Sequence, residues 1–113
     1  MANDQSFLSN EYHLKTVPVT QFPEFINNRV VTTVETETPP TWAKAVVISA
    51  DAAIWVNTGA VEAAAIPVGD VADGSGSLPL GAFQAECFDI VPGRLISVVS
   101  ASGTARVAFR YYA

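Results

Sequence analysis

The run that most constrains the fold is the last one, "TARVAFRYY" (104–112). Ala105, Val107, Phe109 and Tyr111 fall on one face of an extended strand, and Arg106, Ala108, Arg110 and Tyr112 fall on the other. The first set belongs in a core, and the second faces water or a partner. Shorter runs precede it. "KAVVISA" (44–50) and "AIWVN" (53–57) are separated by Asp51 and Ala52, close to the spacing of a tight hairpin. "VEAAAIPV" (61–68) reads as a further strand after a turn at Asn57-Thr58-Gly59, and "GDVADGSGS" (69–77) as a Gly/Ser connector. "FQAECFDI" (83–90) is a strand ended by Pro92-Gly93. "RLISVVS" (94–100) is apolar on both faces, which predicts a central strand covered on both sides. No helical stripe, heptad or internal repeat interrupts the pattern. Five or six short strands at this spacing predict an all-β sandwich or barrel.

Residues 1–43 differ. They are polar, rich in Thr, Asn and Glu, and punctuated by Pro18, Pro23, Pro39 and Pro40. "YHLKTVPVT" (12–20) and "RVVTTVET" (29–36) are strand candidates. Two readings stay open for them: added strands of the main sheets, or an arm that orders against a neighbouring subunit. "TPPT" (38–41) restricts the backbone and reads as an elbow. The expected organisation is therefore an N-terminal arm or extension over 1–43, with possible added strands, and a β-sandwich core domain over 44–113.

Half of the 113 residues are hydrophobic and 15% are charged, enough apolar material for one packed core. The formal charge of −5, with six scattered basic residues, argues against nucleic-acid binding. An acidic surface suits docking on a basic protein instead. Cys87 is the single cysteine, so neither an internal disulfide nor a Cys-based metal site is expected, and "AECFDI" suggests a buried, inert thiol. The polar start "MANDQSFLSN" has no apolar segment of a secretion signal, and no run approaches the roughly 18 apolar residues of a membrane span. Synthesis and residence in a cytosol, without membrane contact, are expected.

The inventory for chemistry is thin. His13 is the only histidine, which rules out a three-His metal site within one chain and leaves a Ser-His-Asp triad without a nucleophile elbow. Glu86 and Asp89 point to opposite faces of a strand. Glu35 and Glu37 share a face, in a segment that reads as a solvated strand edge. The oxygens of Asp70, Asp73, Ser75 and Ser77 suit a hard cation, but their spacing is not that of an EF-hand loop. "GSGS" lacks the Lys and the helix of a phosphate loop. No cofactor, metal or enzymatic activity is expected.

Surfaces remain. Trp55 shares its strand face with Ala53 and Asn57, opposite Ile54 and Val56. Either the Ile/Val pair is core and Trp55 is an exposed anchor, or Trp55 plugs the core. Trp42, beside the Pro-Pro elbow, and the terminal Tyr111 and Tyr112 carry the same two options. The candidate interface residues are Trp55, Asn57, Trp42, Arg106, Arg110 and Tyr112.

The strings "VVISADAAIWVNTGA", "LPLG" and "FDIVPGRLISVVSASGTARVAFRYY" resemble the small jelly-roll capsid decoration or cement proteins of tailed bacteriophages. The resemblance covers residues 44–113. It implies a jelly-roll β-sandwich with an extended N-terminal arm, drawn mainly from residues 44–112. It further implies a non-enzymatic virion protein, made in the host cytoplasm, that binds the outer shell and bridges major capsid protein subunits as a dimer or trimer. The alternative is a β-sandwich module of a phage tail or neck, structural or for host recognition through glycans.

Overall fold

The computed structural model describes residues 25–60 and 62–113. Their secondary structure is eight strands and no helix: β1 (Phe25–Val31), β2 (Glu35–Glu37), β3 (Ala45–Ala50), β4 (Ile54–Ala60), β5 (Leu78–Leu80), β6 (Ala85–Asp89), β7 (Leu95–Ser100) and β8 (Ala105–Tyr112). They form two four-stranded antiparallel sheets, in the orders β1-β8-β3-β6 and β2-β7-β4-β5. The expected all-β class is what the chain adopts, as a sandwich of two sheets.

The last strand behaves as its alternation predicts. Ala105, Val107, Phe109 and Tyr111 are buried, while Arg106 and Arg110 are exposed. β8 lies between β1 and β3, so its inward row meets Val46, Ile48 and Ala50 across the ladder. From the other sheet come Ile54, Val56, Leu80, Ile96 and Val98, which join that row in one core cluster. β7 is central, as expected from its apolar faces. Ile96 and Val98 point inward, and Ser97 on the other face is also buried, because its Oγ accepts a bond from the Ala64 amide (2.8 Å).

Two strands come from the zone before residue 44, the first of the two readings open for residues 29–36. β1 forms one edge of the first sheet and β2 one edge of the second, with Val31 fully buried. The candidate 12–20 lies outside the described residues, as does His13.

Four local expectations are corrected. β3 and β4 do not form a hairpin. The link 51–53 carries the chain from one sheet to the other, and Asp51 is bonded to β8: its amide donates to the Arg106 carbonyl and its Oδ1 accepts from the Arg106 amide. Hairpin spacing fixes only the distance between runs, and tertiary bonds decided the direction here. Asn57-Thr58-Gly59 is not a turn but the end of β4, where the register against β7 slips, and Gly59 is absent from the left-handed positions. Residues 62–68 form no strand. The Ala65 amide bonds the Ser77 hydroxyl (3.1 Å) and Pro67 has no N–H to give, so side-chain hydroxyls replace a ladder. Cys87 is half-buried rather than buried, because β6 is an edge strand and residue 87 lies on its outward row, paired with Val47. The Pro92-Gly93 stop is a β-turn, as expected: Gly93 takes φ 80° and the Arg94 amide donates to the Val91 carbonyl (3.1 Å).

Candidate functional site

The strand order sorts the connections by end. Segments 32–34, 51–53, 81–84 and 101–104 lie at one end of the sandwich. Segments 38–44, 62–77 and 90–94 lie at the other, with the chain end after Tyr112. The second group includes the longest connection, and connections of that length without secondary structure are usually functional or disordered. This one is anchored: Ala64 is buried, and its amide is held by Ser97.

Arg94 sits where two depressions meet. An apolar groove of about 350 Å³ runs between segments 38–43 and 90–95, walled by Pro39, Pro40, Val91, Pro92 and Leu95. A polar cavity of about 320 Å³ lies on Arg94's other side, lined by Asn57, Glu62, Asp73 and Ser75. Arg94 Nη1 donates to the Gly59 carbonyl (3.1 Å), which ties segment 90–94 to the end of β4. Asp73 Oδ1 accepts from both the Ser75 amide (3.0 Å) and the Ser75 hydroxyl (2.6 Å). Those bonds, the hydroxyl's first, hold the Asp73 carboxyl below the usual carboxylate range, so it is an acceptor at neutral pH. No group of three or more His, Cys, Asp or Glu among the described residues is placed to hold a metal ion.

A second polar cluster lies inside the sandwich. Glu37 is 1% exposed. Its carboxylate accepts from Asn27 Nδ2 (2.6 Å), Arg29 Nε (2.5 Å) and the Tyr111 hydroxyl (2.9 Å). The reading of Glu35 and Glu37 as a solvated edge is therefore corrected: both belong to the inward row of β2, opposite Val98 and Ile96, and Glu37 ties the edges of the two sheets together. Polar residues alternating along β1, Asn27 and Arg29, are the signal that an internal acid needed partners. Burial, then the bond to Glu37 and its charge, push the Tyr111 hydroxyl well above the usual tyrosine range, with the Arg29 charge opposing. The folded state thus holds this proton more tightly than the unfolded chain. Its contribution is complete below about pH 10 and is lost as pH rises beyond that. Thermal unfolding followed from neutral to alkaline pH should show Tm falling above about pH 10. Tyr111→Phe should flatten that fall, and parallel curves for the two proteins would refute the assignment.

The six sequence-predicted interface residues do not form one patch. Ile54 and Val56 are buried, so Trp55 lies outward, half-buried between Pro79 and Val99, with Asn57 beyond it in the polar cavity. Arg106, Arg110 and Tyr112 lie on the outward row of the other sheet. Arg106 is bound to Asp51 (Nη1 to Oδ2, 3.1 Å), whose carboxyl is held low mainly by the Arg106 amide. Trp42 is exposed near the loop end and meets Phe25 edge-on at 6.1 Å. Arg94 and Glu62 went unnoticed in the sequence because nothing local marks them; they meet Asn57 only through the strand order. Searches of family models, curated proteins and solved structures find no match to the chain.

Proposed function

We propose that the sandwich is a jelly roll and that the protein is a structural component of a tailed-phage virion, decorating the outer capsid shell and bridging major capsid protein subunits. Support for the jelly roll is the pairing of first strand with last, second with seventh, third with sixth and fourth with fifth, split over two facing sheets. Jelly rolls recur in viral capsid proteins.

The observation that carries the bridging role is that apolar anchors stand at both ends of the sandwich. At the loop end Phe25, Trp42, Val91 and Leu95 are exposed. At the opposite end Phe83 is 81% exposed, in a left-handed backbone (φ 60°) fixed by a 2.7 Å bond from its amide to the Ala50 carbonyl. A strained, solvated phenylalanine costs stability and returns none inside the monomer. A bridge needs two separated contacts on one molecule, and each then raises the effective concentration of the other.

Particles with and without the protein should differ, at low resolution, by density on the outer shell between capsid subunits. Phe83→Asn suits the backbone conformation and removes the ring. It should weaken attachment by about 2 kcal/mol, roughly thirtyfold, without lowering Tm. Trp42→Ala should do the same at the other end, with about 1 kcal/mol of fold stability lost with the Phe25 contact. Undiminished attachment of both variants would overturn the bridging role.

A further inference from the structure

We propose that the cavity between Asn57, Glu62, Asp73, Ser75 and Arg94 is a binding site for an uncharged saccharide. The inference goes beyond shell bridging and does not depend on it, since the cavity stands on the sandwich wherever the protein is attached.

Four observations carry it. The cavity, about 320 Å³, adjoins a second of about 410 Å³ through the shared residues Glu62 and Ser75. The second mixes the apolar Ala65, Pro67 and Val71 with the polar Glu62, Ser75 and Ser77. The combined groove thus offers polar groups along its length and apolar ones at Ala65, Pro67 and Val71. Each part has the size of a small-molecule pocket. A pyranose ring presents the same two kinds of surface, with hydroxyls at its edge and C–H groups on its face.

The donors and acceptors are mixed in the way hydroxyls require. The Glu62 and Asp73 carboxylates accept, the Arg94 guanidinium donates, and the Asn57 amide does both. The known bonds leave capacity: those of Asp73 both end on Oδ1, and Arg94 spends Nη1 on the Gly59 carbonyl.

Charge then selects the class. Two carboxylates face one guanidinium, so an anion meets net repulsion. Among the described residues, no three His, Cys, Asp or Glu side chains are grouped to hold a metal ion. A neutral polyol can bond to both signs at once.

Finally, the walls are held. Ser97 anchors Ala64, Ser77 anchors Ala65, and Arg94 fixes the end of β4. Ordering already present in the free protein is not charged against a weak ligand. Trp55 lies two residues from Asn57 on the same strand face, about 7 Å along it, within reach of a second sugar ring.

The test is a titration of the intact protein, followed by amide NMR shifts. The probes are methyl glucoside, methyl galactoside, N-acetylglucosamine and their disaccharides, with sialic acid and inorganic phosphate as anionic controls. At least one neutral sugar should saturate in the millimolar range. Its shifts should centre on Asn57, Ser75 and Arg94, and both anions should leave them unmoved. Asn57→Ala, at a half-buried position on the outward row of β4, should weaken binding at least tenfold, and so should Arg94→Ala. Absence of saturable shifts with every neutral sugar overturns the proposal. So do stronger binding of either anion at this site and unchanged sugar affinity in Asn57→Ala. Loss of shell attachment leaves these outcomes unaffected, so failure of the bridging role and failure of this site can be told apart.

Discussion

A chain that begins at Trp42 is expected to be unfolded, although it keeps six of the eight strands. The cut removes β1 and β2, one edge of each sheet, and with them the fully buried Val31. β8 then loses the partner that covers its backbone from Phe25↔Tyr111 to Val31↔Ala105, and β7 loses its pairing with Glu35–Glu37. Two central strands become edges, with unpaired backbone groups beside a core opened on that side. The Tyr111 hydroxyl, buried, loses its acceptor Glu37 as well. A sandwich with a net stability of only several kcal/mol does not survive losses on both sheets. Far-UV circular dichroism and a thermal melt decide the matter. A cooperative transition near that of the full chain would mean that β1 and β2 are accessories to a core complete without them.

Glu37→Ala is expected to cost about 3 kcal/mol, a loss at the level of a core truncation, from a strand of three residues. The substitution strands three donors at once. Tyr111 is fully buried and cannot turn to water, whereas the Arg29 side chain is 37% exposed and can, which keeps the cost at the lower end of the range for breaking a buried pair. Glu37→Gln retains an acceptor and should cost about half as much. Glu35→Ala, on the same face of β2 but 39% exposed and 3.8 Å from Arg29, should stay within about 0.5 kcal/mol. Chemical denaturation of the three variants measures the differences. Equal losses at positions 35 and 37 would mean that the carboxylate contributes through surface charge and not through its buried bonds.

The cluster also explains why β1 sits where it does. Its inward row is Phe25, Asn27, Arg29 and Val31, which is half polar, and its outward row contains the exposed Ile26 and Val30. By hydrophobicity alone the strand would turn over. A one-residue slip would bury Ile26 and Val30 but would leave Glu37 without Asn27 and Arg29. The charge set the register against the apolar pattern.

The sequence by itself determined the class of the fold and most of the core. Strict alternation in 104–112 marks every buried residue of β8, and the doubly apolar run 94–100 marks a central strand, because side-chain period and burial are local properties of an extended chain. Tertiary structure alone decided which strands pair. The spacing of 44–50 and 53–57 suits a hairpin equally well, yet the chain crosses between sheets at Asp51, because partners of Asp51 lie 55 residues away on β8. The same holds for both polar clusters. Glu37 and Tyr111 are 74 residues apart, and Arg94 reaches Gly59 across 35. An acid in a three-residue strand and an arginine after a Pro-Gly turn look solvated when only neighbours in the chain are read. The burial of Glu37 and the partners of both are set by contacts between distant segments, which exist only once the two sheets have closed on each other.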